Sequence, residues 1–522
     1  MPETLEQEPE AEAGRGVGRR RFLSVGGGVL AGAGTLTLPR LGRTDSTGAP
    51  ARPGLRPVYP ADPRYDTMVM GFNRRWTGSP AYIQVVASPA ETLSAVQAAL
   101  RARRRITVRG GGHCYENFVS ANDGGVIIDL SGMQGVSREP SGQIRVEAGA
   151  TLWNAYETLF RDYKLTLPGG SCYSVGVGGH IAGGGYGLLS RLQGLTVDYL
   201  TAVDVICVNR QGQARLVRAV KGDPVTGGLL WAHTGGGGGN FGIVTAYYFS
   251  ALPSPPGEVL FASTSWPWAG MSAESFAALL GNYGRFLQAN SSPRSPYTGL
   301  FSLLHLFHQS AGKITMGTQA AGASRALLPR FLDQVGAGVP GGTTTTISLP
   351  WLQATQTLNG SGRNQRGKAK SAYMNAPFPD DQIQAIYAAL TDPDYSNPQA
   401  VLQVDSYGGR INAVAPGATA VPQRSSIMKL QYQTYWSLPA DDAVNLNWIS
   451  NFYARVYAAT GGVPVSNGVT DGCFINYCDV DLPSSWPALY YKGAYPRLQG
   501  VKARWDPRNV FHHAQSIVPA RL

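Results

Sequence analysis

Residues 168–187 constrain this chain more than any other stretch. Nine of the twenty are glycine, and only one cysteine (Cys172), two tyrosines and one histidine (His180) stand out among small residues. Each glycine weakens regular structure by roughly 0.5–1 kcal/mol relative to alanine, so such a density needs a backbone reason. Two further clusters, residues 110–112 and 235–242, adjoin apolar, strand-like runs. Three such loops beside strands imply that backbone comes close to something bound.

The surrounding pattern predicts a mixed α/β or α+β lobe. From about Tyr65 to Leu252, short β-branched runs alternate with amphipathic helical segments: strands over 82–86, 106–108, 126–130, 143–147 and 201–208, helices over 89–102 and 152–161. Residues 258 to about 470 have fewer glycine clusters. They carry longer helical stretches (275–289, 325–335, 380–390, 442–459) and an aromatic-rich strand over 427–436, which together read as a second lobe. The closing segment, 480–522, reads as a return to the first lobe.

With 522 residues there is room for two lobes and a buried cofactor. The charge of +11 could suit nucleic acid, a membrane surface or an anionic small molecule. The last is preferred, because the run Arg101 to Arg105 adjoins a helical pattern and does not alternate with aromatics as a nucleic-acid groove would. Five scattered cysteines make no disulfide framework, and no metal-ligand spacing occurs. Ahead of the fold, Arg19-Arg20-Arg21-Phe22-Leu23 precedes a glycine/alanine-rich stretch over 24–38 too short to span a membrane. This is read as a twin-arginine export signal, followed by a flexible linker over 39–62. The plainer alternative is a basic leader on a protein that stays in the cytoplasm.

The first glycine cluster sits in Arg109-Gly110-Gly111-Gly112-His113-Cys114-Tyr115, where a strand runs into three bare backbone units able to cradle a pyrophosphate. A tight structural turn explains the triple glycine equally well. Taken alone, Cys172 fits a small buried side chain and His180 a histidine satisfied by carbonyls. Other nucleotide motifs fail. Gly176-Val177-Gly178-Gly179-His180-Ile181 lacks the third glycine and leading strand of a dinucleotide fingerprint, and neither a P-loop nor a Gly-x-Ser-x-Gly elbow occurs.

His113 after its three glycines, Cys172 in Gly-Gly-Ser-Cys with the glycines that follow it, residues 235–244, Asn476-Tyr477-Cys478-Asp479 and Asp506-Pro507-Arg508-Asn509 together resemble the berberine bridge enzyme-like FAD-linked oxidases. The similarity runs from about Tyr65 to Pro519. It leans toward the bacterial natural-product branch typified by aclacinomycin oxidoreductase, with carbohydrate oxidases further off. The resemblance implies an α+β fold. Residues 63–257 and 471–522 would form a two-lobe, PCMH-type FAD-binding domain, and 258–470 an antiparallel substrate sheet backed by helices, with 1–62 as leader and linker. It also implies FAD held twice, by His113 at the 8α-methyl and by Cys172 at C6. The wall of the cofactor site would be Arg109, Gly110, Gly111, Gly112, Cys114, Val175, Gly176, Gly178, Gly179, His180, Gly183, Tyr186, Gly242, Ile243 and Val244, with Asn509 at the ring edge.

The family's base position falls on Tyr477. A free tyrosine titrates near ~10, so a cation or hydrogen-bond donor must help it. Tyr407 and Tyr186 are candidate second tyrosines, Tyr432 is a further residue that could face the flavin, and Asp479 is expected to cap a turn. The implied activity is oxidation of a hydroxyl on a sugar or polyketide natural product, with O2 reduced to hydrogen peroxide. The alternatives are an oligosaccharide or aldose oxidase and a flavin carrier without turnover. No nucleic-acid or membrane partner is expected of the mature protein.

Overall fold

The computed structural model describes residues 56–520, apart from 359–361 and 363. The stretch expected to be an export signal and most of the expected linker therefore lie outside the described residues. Order begins before Tyr65: Val58 already exchanges backbone hydrogen bonds with Ile83.

Three sheets organise the described residues. The first is parallel and three-stranded, in the order Tyr82–Val85, Val126–Asp129, Ile106–Arg109. Its central strand is buried throughout, as its unbroken apolar run requires. The helix Pro89–Arg101 links the outer two strands. Ser88 caps it by accepting from the Glu91 amide, and Glu91 returns a carboxylate to the Ala87 amide at 2.8 Å. The strand Ile106–Arg109 then ends directly on the first glycine cluster.

The second sheet is antiparallel, in the order Val136–Arg138, Ile144–Glu147, Ile243–Phe249, Leu200–Val208, Ala214–Val220. The third is also antiparallel and has seven strands: Thr343–Pro350, Glu258–Pro267, Lys313–Ala321, Leu300–Phe307, Val401–Ser406, Met428–Trp436, Arg366–Met374. Helices back one of its faces. Tyr432 packs there against Phe452, Tyr453 and Tyr457 of the helix Asp442–Val456 and its end. Tyr283 of the helix Ala273–Ala289 donates to the carbonyls of Ser302 and Val404.

Strand side chains alternate between faces, so the position of Tyr432 settles the other side. Lys429, Gln431, Gln433 and Tyr435 point to the face away from the helices. Tyr432 therefore does not face the cofactor site, contrary to expectation; its hydroxyl meets that of Tyr457 at 3.0 Å. No helix among the described residues is long and apolar enough to cross a membrane.

Candidate functional site

The site starts from a place where two backbones touch. A Cβ added to Gly111 would lie 2.2 Å from the Gly176 nitrogen, and one added to Gly176 would lie 2.2 Å from the Gly111 nitrogen. Only glycine at both positions lets the loops pass this closely. The contact carries His113 to the Cys172 loop, where its Nε2 meets the Ser174 hydroxyl at 3.1 Å. Phe72 stacks on the other side of the imidazole at 4.7 Å. Burial pushes His113 down to about 4, so at neutral pH the ring is uncharged and keeps a nitrogen lone pair. Cys172 is partly exposed, and its charge would be felt by Tyr115, Tyr435, Tyr477 and Lys429.

Tyr477 approaches from the closing segment. Lys429, reaching across from its strand, donates to the Tyr477 oxygen at 2.9 Å and pairs with Asp405 at 2.6 Å. Both charged side chains are almost fully buried. The same ammonium lies 4.2 Å from the Tyr477 ring and 4.6 Å from the Tyr186 ring, so two tyrosines share one cation. Burial, followed by the nearby Asp405, pushes the Tyr477 phenol well above its ordinary range. Burial likewise pulls Lys429 down, against the pull of Asp405. Tyr115 meets Tyr477 edge to face at 5.8 Å and accepts a hydrogen bond from Gln431 at 2.8 Å.

Residues 80–214 match the family described as FAD binding domain, and residues 473–518 the family described as berberine and berberine like. The chain is 41% identical to aclacinomycin-N/aclacinomycin-A oxidase of Streptomyces galilaeus, over 90% of this chain and 91% of that protein. It is 39% identical to hexose oxidase of Chondrus crispus, over 87% and 93%. Among solved structures, a glycopeptide hexose oxidase complexed with teicoplanin superposes with a TM-score of 0.86 at 42% identity, over 90% of this chain and all of that one. The chain belongs to the berberine bridge enzyme-like family of FAD-linked oxidases.

The local chemistry of this berberine bridge enzyme-like chain fits FAD. The backbones of Gly111, Gly179 and Gly238 are exposed. A Cβ on Gly179 or Gly238 would meet nothing within 4 Å, so both border open space. The imidazole of His113 is neutral at pH 7, and Cys172 is partly exposed.

Several residues expected in the cofactor wall do other work. Arg109 turns inward to bind Asp129, with its Nε 2.8 Å from the carboxylate, and the Met68 carbonyl, so its guanidinium braces two neighbouring strands. Gly178, Gly183 and Gly242 have protein neighbours where a Cβ would stand: the Ala148 carbonyl at 2.6 Å, Asn476 at 2.1 Å and the Ile206 carbonyl at 2.5 Å. With Gly111 and Gly176, they are glycine because the protein packs there. Gly110 has only an ordinary contact, and Gly112 has a φ of 75°.

Ile243 is buried in its strand and Val244 half-buried, while Val175 closes a turn on the Cys172 carbonyl at 3.0 Å. His180 accepts from the Gly170 amide at 3.1 Å, and its carbonyl receives Asn476, which tethers the Tyr477 segment to the Cys172 loop. Asn509 lies in the turn after the helix Tyr495–Trp505, with a φ of 49° and its amide bonded to Asp506.

Of the tyrosines, Tyr186 joins the site through Lys429, although its hydroxyl donates to the Ser406 carbonyl at 2.6 Å. Tyr407 packs on Tyr186 at 5.3 Å, but its hydroxyl is turned to the Gln423 carbonyl at 3.2 Å and away from Tyr477. Asp479 does cap a turn, accepting from the Asp481 amide at 3.0 Å, and also binds Lys368 and Lys370. Cys114 faces Cys478.

Sequence reasoning missed Lys429, Asp405, Gln403, Tyr115 and Gln431. A signal existed. In Met-Lys-Leu-Gln-Tyr-Gln and Leu-Gln-Val-Asp-Ser, polar residues alternate with apolar ones inside strands that are otherwise buried, which marks a second, functional face.

Proposed function

We propose that this FAD-linked oxidoreductase oxidises a hydroxyl group of a sugar or another hydroxylated natural product, with FAD attached to both His113 and Cys172 and dioxygen as the final acceptor. The observation that carries the reading is the hydrogen bond from Lys429 to Tyr477 beside Cys172. FAD, when bound, accepts a hydride from the alcohol carbon and delivers the electrons to O2 as hydrogen peroxide.

The chain's own part is to take the proton. A buried phenol resists ionisation, and Asp405 adds to the resistance. The ammonium touching its oxygen supplies the counter-charge, so Tyr477 can act as the base while Lys429 keeps its protons, balanced by Asp405. The Tyr186 ring lies 4.6 Å from the same cation. Two nucleophiles on touching loops support double attachment. His113 is held neutral, and its ring is fixed between Phe72 and Ser174.

The sheet face carrying Lys429 and Asp405 continues as Gln431, Gln403 and His305, paired in register across three strands. Gln403 donates to Asp405 at 2.7 Å, and its carbonyl meets His305 at 3.1 Å. A polar row of this kind suits a substrate with several hydroxyls. Hexose oxidase and aclacinomycin oxidase are similar over most of their length, which favours sugars and glycosylated natural products. The leader at Arg19-Arg20-Arg21 fits export of the folded, cofactor-loaded enzyme.

Tyr477→Phe tests the base. The flavin spectrum should persist, while peroxide production from hexoses, oligosaccharides and glycosylated polyketides falls by ~10²–10⁴. Unchanged turnover removes Tyr477 from the role. Acid precipitation tests attachment: colour should stay in the pellet for wild type and for His113→Ala or Cys172→Ala alone. Colour in the wild-type supernatant refutes it.

A further inference from the structure

Cys114 and Cys478 are far apart in sequence, yet their sulfurs lie 4.0 Å from each other. Each directly follows a residue of the site, Cys114 after His113 and Cys478 after Tyr477. The two segments are held side by side by independent contacts. The Tyr115 and Tyr477 rings meet at 5.8 Å, and the Val480 amide donates to Glu116 at 3.3 Å. Lys368 binds both Glu116 and Asp479, at 2.6 and 2.7 Å. The thiols therefore face each other across a fixed register.

We propose that Cys114 and Cys478 are a site of oxidative modification, at which a peroxide joins them in a disulfide that ties the His113 segment to the Tyr477 segment. A disulfide needs sulfurs at about 2.05 Å, so the pair must close by about 2 Å. The Cys114 sulfur attacks one peroxide oxygen, the O–O bond breaks, and the departing hydroxide leaves as water with the thiol proton. The Cys478 sulfur then attacks the resulting sulfenic acid, the S–O bond breaks, and a second water leaves with the remaining proton. Two thiols and one hydrogen peroxide give one disulfide and two waters, with two electrons passing from sulfur to oxygen.

Cys114 is the attacking partner on two counts. It is partly exposed while Cys478 is buried. The hydrogen bond between the thiols also pulls Cys114 below its ordinary range and pushes Cys478 above it. Cys207 and Cys473 differ: burial pushes both up to about 12, and they contact the Phe241 carbonyl and Tyr453 respectively. Peroxide formed during turnover is a source only if the oxidase reading above holds; added peroxide needs no such condition.

The test is to treat the holoenzyme with a few equivalents of hydrogen peroxide, alkylate it under denaturing conditions and map its peptides. A Cys114–Cys478 linked pair lighter by about 2 Da, reversed by dithiothreitol and accompanied by a higher melting temperature, is expected. In Cys478→Ser the link and the melting shift should vanish, and Cys114 should stop at a sulfenic or sulfinic acid. Two fully alkylated thiols after peroxide, or linkage through other cysteines, would overturn the proposal. Linkage with added peroxide, but none with any alcohol substrate, would fail the oxidase reading and leave this one standing.

Discussion

The two sides of the site are built by opposite means. On the glycine side, loops touch because side chains are missing, and each loop is bordered by an imidazole. His113 and His180 belong to the first two loops. His233 precedes the third, and His513 packs against Gly239 of that loop. Burial holds all four near about 4, hence neutral. On the sheet side, the buried groups are charged and paired: Lys429 with Asp405, and Lys368 with Glu116 and Asp479. Close backbone approach is bought with uncharged neighbours, whereas proton transfer needs a cation that can sit beside a phenol.

Acid should separate the two sides with the largest effect. An imidazole that titrates near 6.5 when unfolded and about 4 when folded leaves the unfolded chain binding more protons between those values. Stability is therefore full above about pH 6.5 and falls as pH drops toward 4. Urea midpoints should decline over that window. His180→Gln should decline less, by up to roughly 3 kcal/mol for the one proton removed from the balance. Equal declines for both proteins would remove His180 from the acid-sensitive groups.

Lys429→Met attacks the sheet side. It leaves Asp405 buried without its cation, at a cost of about 3–5 kcal/mol. It also removes the donor on Tyr477, so the base becomes harder to ionise. Because the base works when deprotonated, rate rises with pH, and the rising limb of kcat/KM should move to higher pH in the variant. A limb that stays in place would show that Lys429 only supports the fold.

What could be read before the structure follows the same division. The strands around 82–86, 106–108 and 201–208 and the helix after Ser88 are local matters of alternation and capping, and the structure has them within a residue or two. His113, Cys172 and Tyr477 could be singled out because each sits in a distinctive run. Lys429 and Asp405 were not, since each is an isolated charge in a strand and only pairing across the sheet gives it a partner. Tyr432 was misread by one step of parity, which in a strand reverses the face. The ion pair of Arg109 was not legible, because its partner, Asp129, lies on a neighbouring parallel strand and carries no local signature.

Gly111→Ala probes the glycine side. A methyl 2.2 Å from a backbone nitrogen cannot rotate away, so the two loops must part. Overpacking of this kind costs about 1–3 kcal/mol. His113 and Cys172 would separate with the loops, and the purified protein should carry less flavin per chain by absorbance. Full flavin loading at wild-type stability would mean that the loops have slack, and that closeness is not what fixes the pair.

The smallest effect on the fold is expected from the same added methyl at Gly179. There a Cβ meets nothing within 4 Å, and the residue lies in the short helix Val177–Ala182, where alanine is the better helix former. The urea midpoint of Gly179→Ala should match wild type within about 0.5 kcal/mol. On the reading that FAD occupies the open space beside Gly179, the loss should appear in cofactor retention alone. A variant that is stable and short of flavin, set beside a Gly111→Ala protein that is both unstable and short of flavin, would divide the glycines into those that serve the backbone and those that serve the ligand. Were Gly179→Ala to load flavin like wild type, the cradle would have to be sought further along the loops, at Gly110 or Gly238.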